Sequence, residues 1–210
     1  MFGFSQEEKC LSTERGPVRI RNFCTPEEIR RFQFNPQFGT HAHYRSLYTH
    51  RESLEKYAEK SGANVTLALN DDNAIVGFAV LGDPDPEERW AGLDSLLMEV
   101  KAVEVARDWR RIHLSAEILE MLLRHPELEE KIIYMVGYSW TWDLDGTSRT
   151  AQQYRQMLIR LFERFDFVEY QTNEPNICLK PENIFMGRVG RQVSEADQKR
   201  FKWLRFGMEP

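Results

Sequence analysis

The sequence predicts an α/β (α+β) domain, a mixed sheet of about six to seven strands with flanking helices, and three observations carry that expectation. Period-two alternation recurs at Val18–Ile20 and Val65–Leu69. Apolar residues at three- and four-residue steps run from Tyr154 to Phe165, and a strand, a turn and a helix follow one another between Leu97 and Leu123. With 210 residues, 41% of them hydrophobic, the chain can bury a core as one domain over 1–210, with the core at 18–189 and a helical appendage at 190–210.

Val18 and Ile20 alternate with Arg19 and Arg21, so the first strand is half-buried. Thr25-Pro26-Glu27-Glu28 reads as an N-cap, a proline at the first helical position and a capping-box glutamate, opening a helix that ends before Pro36. Thr49 and Glu52 repeat that spacing ahead of Leu54, Tyr57 and Ala58, a second helix that stops by Gly62. Val65, Leu67 and Leu69, the turn formers Asn70–Asn73 and the apolar run Ala74–Leu81 make a β-hairpin, interrupted at Gly77. Asp83-Pro84-Asp85-Pro86 removes ladder donors, so the chain leaves the sheet through Trp90 and resumes it as a strand over Leu96–Val105.

Leu114, Ile118, Met121 and Leu122 share one helical face, and Pro126 lies just past its end. Ile132–Gly137 is almost continuously apolar, as a buried central strand is. After the amphipathic helix that reaches Phe165, Phe167–Tyr170 and Ile184–Val189 are expected as closing strands. Ser194 with Asp197 caps a final helix to Leu204.

The formal charge of −5 argues against nucleic-acid and anionic-membrane partners, which need a basic excess. Met1–Cys10 turns polar at Gln6, Glu7, Glu8 and Lys9 and so has no apolar signal core, which predicts a cytoplasmic protein. Cys10, Cys24 and Cys178 are odd in number and far apart, which fits reduced thiols with structural roles. His41 and His43 have no cysteine or carboxylate at ligand spacing, so they read as a loop pair and no metal is expected.

Chemistry concentrates in Val105–Ser115. A turn that opens a helix offers unpaired backbone N–H groups and the positive end of the helix dipole to a pyrophosphate, and Arg107, Arg110 and Arg111 add local charge to an acidic chain. On the strand before it stand Glu99 and Glu104, five residues apart and therefore on opposite faces of a regular strand. Trp140 and Trp142 read as alternating along a strand end. With Tyr138 they form an aromatic patch that either closes the core or docks a protein. Asp83, Asp85, Glu87 and Glu88 make an acidic loop that is either a solvated face or a rim suited to a lysine-bearing partner.

The element order resembles that of the GNAT N-acetyltransferases. Ile75-Val76-Gly77-Phe78 resembles the family's third strand, and Phe165-Asp166-Phe167 sits where the family carries a Leu-Gly-Phe. The segment Arg110-Arg111-Ile112-His113-Leu114-Ser115 is similar to its phosphate turn, with His113 and Ser115 at the two glycine positions. The resemblance implies the GNAT acyl-CoA fold and acetyl-CoA as co-substrate, held by Val103, Val105, Arg107, Arg110, Arg111, Ile112, His113, Leu114 and Ser115. By position relative to Arg110 it nominates Glu99 as general base, with Glu104 as the second candidate. A base is needed because an amine of pKa near 10.4 costs roughly 4–5 kcal/mol to deprotonate at neutral pH. The family's tyrosine acid is replaced by Phe162, which leaves Tyr138, Tyr154 or solvent to protonate the leaving thiolate.

Asp83–Trp90, Tyr138–Thr147, Gly16-Pro17-Val18 and Arg188-Val189-Gly190 are similar to the GNAT protein acetyltransferases of bacterial acetoin utilisation. That likeness implies transfer of acetyl to a lysine of acetyl-CoA synthetase, which inactivates it. A small-amine acetyltransferase would share every core feature, and a non-catalytic acetyl-CoA-binding regulatory partner would fit the altered turn at His113 and Ser115.

Overall fold

The computed structural model describes residues 6–208; residues 1–5 and 209–210 of the expected domain, including the start of the leader reading, lie outside them. The chain divides into two compact units, Met1–Gly82 with Lys101–Arg124 and Asp83–Val100 with His125–Pro210. Among the described residues no helix is long and apolar enough to cross a membrane.

The first unit begins with strand β1 (Glu8–Thr13), which pairs antiparallel with β2 (Gly16–Arg21). The sequence reading did not include β1. Leu11 is its one aliphatic side chain, so an edge strand here leaves no apolar alternation to read. Helix α1 (Pro26–Arg31) has the expected start: Thr25 accepts from the Glu28 N–H, the Glu28 carboxylate accepts from the Thr25 N–H, and Ile29 is fully buried. Two-residue strands follow as β3 (Gln33–Phe34), β4 (Thr40–His41) and β5 (Tyr44–Arg45). His41 and Tyr44 face each other across the β4–β5 hairpin, their rings stacked at 6.1 Å.

Helix α2 (Arg51–Ala58) corrects one expectation, because His50 and not Thr49 is its N-cap and no side chain caps it. Its anchor is Glu55, whose carboxylate accepts from Arg51 one turn earlier and from Arg30 of α1. The hairpin of β6 (Asn64–Asn70) and β7 (Ala74–Gly82) turns at Asn73, which takes a left-handed φ of 56°, while the Asn70 side chain accepts from the Ala74 N–H. Strand β8 (Leu97–Val105) contributes Lys101–Val105 to this unit, and helix α3 (Leu114–Leu122) buries Leu114, Ile118, Leu119, Met121 and Leu122. Gly77 is the reason α3 can lie so close: a Cβ there would stand 2.6 Å from Ile118 Cδ1.

In the second unit, a 3-10 segment over Arg89–Leu96 leads into Leu97–Val100 of β8, which runs parallel to β9 (Ile132–Gly137) with Leu97 opposite Ile132 and Glu99 opposite Tyr134. Trp140 stands in a 3-10 turn, Ser139–Thr141, and not at the end of a strand as the alternation suggested. Local bonds decide this, since Thr141 returns both its N–H and its hydroxyl to the Tyr138 carbonyl. Short α4 (Leu144–Thr147) is capped by buried Asp143, and α5 (Ala151–Glu163) starts at a Thr150–Gln153 capping box. The expected strand at Phe167–Tyr170 shortens to β10 (Val168–Glu169), the stretch that faces Met186 and Gly187.

A single turn, α6 (Pro175–Cys178), precedes β11 (Ile184–Val189), which pairs antiparallel with β9 along its whole length. Gly190 follows because a Cβ there would collide with the Glu129 backbone. Helix α7 (Glu195–Leu204) is capped by Ser194 and inserts Phe201 into a core of Trp90, Leu97, Tyr134 and Phe185. Trp90 and Phe185 stack there at 4.5 Å.

Candidate active site

The first unit holds the turn. Arg107–Trp109 forms one 3-10 turn, pinned from the side by Gln37, which donates to the Asp108 carboxylate at 2.7 Å and accepts from the Asp108 N–H at 3.0 Å. Arg110 folds back and donates through Nε to the Val105 carbonyl at 3.0 Å, which holds its guanidinium beside the strand end. Arg111 and His113 both take left-handed backbone, with φ of 69° and 60°. His113 is thus the N-cap of α3 in the conformation a glycine adopts without cost, so the path survives without the glycine. The N–H groups of Arg111, Ile112 and His113 donate to no backbone carbonyl among the described residues, and those of Leu114 and Ser115 are first-turn donors of α3. Asp166 repeats the substitution, with a φ of 63° where the resembling motif carries glycine.

Glu104 belongs to the same unit and is 8% exposed. Its Oε1 accepts from the Leu47 N–H at 2.6 Å and its Oε2 from the Tyr44 hydroxyl at 3.0 Å. Burial pushes its carboxyl above the usual range, against the opposing pull of the Leu47 N–H, the Tyr44 and Ser46 side chains and the Arg110 charge. Val103 is partly exposed, like Glu99 and Lys101 on the same face of β8, whereas Val105 at the strand end is buried.

The second unit holds Glu99, partly exposed on β8 with Tyr134 directly opposite on β9. Tyr134 is fully buried against the stacked pair Trp90 and Phe185, and its hydroxyl has no partner at full hydrogen-bond geometry among the described residues. Burial, then the negative charges of Glu99 and Glu88, push its phenol far above the ordinary value, so it stays protonated. Tyr138, at the end of β9, is also pushed upward, by burial and then by Glu88, Glu174 and Glu99.

The two tryptophans of the expected patch part company. Trp140 is 58% exposed and stacks on Tyr138 at 4.7 Å, whereas Trp142 is buried and stacks on Tyr154 at 5.1 Å. Buried Asn183 holds the turn, accepting from the Ser139 N–H at 2.7 Å. The residues of the acidic loop, Asp83, Asp85, Glu87 and Glu88, are exposed. Tyr134 is the residue that sequence reasoning passed over; its one signal is a hydroxyl inside an otherwise apolar strand.

The coordinates group Glu104 with the turn Arg107–Ser115 in one unit, and Glu99 with Tyr138 and Trp140 in the other. No family model matches the chain. It is 31% identical to acetoin utilization protein AcuA of Bacillus licheniformis over 199 residues, 94% of this chain and 93% of that one. The crystal structure of an acetoin utilization protein from Exiguobacterium sibiricum matches with a TM-score of 0.90 at 27% identity, covering 98% of this chain and 96% of that one. A ribosomal-protein-alanine N-acetyltransferase from Brucella melitensis, 17% identical, shares the fold with a TM-score of 0.52 over 81% of this chain and 98% of its own. With sequence likeness running through nearly the whole of both chains, and the fold agreeing, this protein belongs to the acetoin utilization protein AcuA family and has the fold of the GNAT acetyltransferases.

Proposed function

We propose that the protein transfers acetyl from acetyl-CoA to a lysine side chain of another protein, and that this protein is acetyl-CoA synthetase. Trp140 is the observation that carries the acceptor class. It offers an exposed aromatic face, stacked on a tyrosine whose hydroxyl feels the charges of Glu88, Glu174 and Glu99. A flat aromatic surface in a negative field suits a long cationic side chain and anchors a partner protein. Acetylating a lysine removes its charge and its donors, a sufficient reason for an enzyme that uses that lysine to stop.

Acetyl-CoA, when bound, supplies an activated thioester. The unpaired N–H groups of Arg111, Ile112 and His113, with the first-turn N–H groups of Leu114 and Ser115, suit a pyrophosphate, and Arg107, Arg110 and Arg111 add charge. Backbone of Val103–Val105 holds the thioester carbonyl as charge builds on its oxygen. Glu99 takes the proton from the lysine ammonium, and Glu104 is the second candidate for that step. Tyr138, kept protonated, returns a proton to the departing sulfur.

Incubation with labelled acetyl-CoA and purified acetyl-CoA synthetase tests the reading: label is expected on one lysine of the synthetase, with loss of its activity. No label on the synthetase would overturn the acceptor. Label on free amines alone would make this a small-amine enzyme.

A further inference from the structure

Tyr134 is fully buried, its hydroxyl has no partner at full hydrogen-bond geometry among the described residues, and the side-chain hydrogen-bonding interaction that acts on it is with Glu99. Buried hydroxyls are normally paired, and phenylalanine would fill the same place at no polar cost. The ring is packed in a cluster with Trp90 at 5.5 Å and Phe185 at 5.6 Å, themselves stacked at 4.5 Å, and Phe201 at 6.3 Å from Phe185. The parallel register puts Glu99 directly opposite, so the two side chains leave the sheet on the same face. The Glu99 charge is felt at the phenol, which marks the carboxylate as the nearby acceptor.

We infer that Tyr134 is a positioning residue for Glu99: its hydroxyl donates to the Glu99 carboxylate, directly or through one water, and keeps it aimed and ionised for proton removal. The inference rests on Glu99 being the base of the proposed reaction. Glu88 and Tyr138 act on Tyr134 beside Glu99, Glu174 acts on Tyr138 and is paired to Arg89, and Lys101 follows Glu99 on the same face of β8. Tyr134 touches neither acceptor nor acetyl group in this account; it acts through Glu99.

Tyr134→Phe removes one oxygen and leaves the packed ring in place. Two readouts apply to the full-length protein. In infrared difference spectra, the Glu99 carboxylate stretch, identified by its loss in Glu99→Gln, is expected to move in Tyr134→Phe. In the acetylation assay, kcat is expected to fall about ten-fold at neutral pH with KM for acetyl-CoA unchanged, and the acidic limb of the pH profile to move up by about one unit. A carboxylate that loses a donor holds its proton more tightly, hence the upward direction. In a Glu99→Gln background the second substitution is expected to cost nothing further. An unmoved carboxylate band, or an unmoved acidic limb with equal losses in both backgrounds, would overturn the inference. If the wild type labels no acceptor, the proposed reaction fails, while the infrared band still decides the Tyr134–Glu99 bond.

Discussion

Glu104, in the first unit, accepts an N–H and a hydroxyl in a site 8% exposed; Glu99, in the second, is partly exposed beside a phenol with no other partner. Both are strand carboxylates, but their lone pairs are committed differently. Those of Glu104 hold the segment Tyr44–Leu47, so removing them releases two donors inside the fold. Glu99 stands among Tyr134, Tyr138 and Glu88, and its charge acts on both phenols. A buried, satisfied carboxylate contributes first to structure, and a partly exposed one among protonated phenols contributes first to chemistry.

Glu99→Gln breaks this comparison most directly. It is expected to lower acetyl transfer by roughly 100-fold or more, with acetyl-CoA affinity and melting temperature unchanged, as kinetics, calorimetry and thermal melts will show. If Glu104→Gln caused the larger loss, the base would lie in the first unit. Glu104→Ala is expected to cost about 1–3 kcal/mol of stability, read by denaturant unfolding, because the Leu47 N–H and the Tyr44 hydroxyl lose their acceptor.

The raised Glu104 carboxyl also fixes a sign. A group that binds its proton more tightly when folded stabilises below its ordinary value, here 4.5, and loses that contribution as pH rises through the raised value. Unfolding free energies of wild type minus Glu104→Gln are therefore expected to fall from pH 4.5 upward and then level off. Trp140→Ala sharpens the second-unit side: a rise of about ten-fold in KM for the protein acceptor is expected, with stability changed by less than about 0.5 kcal/mol. His113→Gly is the smallest effect. Relief of left-handed strain is offset by the freer unfolded chain, so stability should move by less than about 1 kcal/mol, while CoA binding, measured by calorimetry, tightens a few-fold.

Long, strongly patterned elements were legible beforehand. The capping box at Thr25 and Glu28, the β6–β7 hairpin, β9 at Ile132–Gly137 and the cap at Ser194 appear where their residues place them, because each is set by neighbours within a few positions. Elements that depend on distant partners were not. β1 exists because β2 offers it an edge, and β10 is only as long as its pairing with β11. Trp140 and Trp142 show identical chemistry in sequence, yet one is exposed and the other buried.

Residue order alone carried the Arg107–Ser115 turn and the two candidate carboxylates, since backbone donors at a helix start and charges on a strand are local properties. Folding decided the surroundings of each. The left-handed backbone at His113 replaces a glycine without changing the path, the Leu47 N–H and Tyr44 hydroxyl commit Glu104, and the register of β8 on β9 sets Tyr134 opposite Glu99. These are relations between residues far apart in the chain, and burial and hydrogen-bond partners exist only once the chain has closed around them.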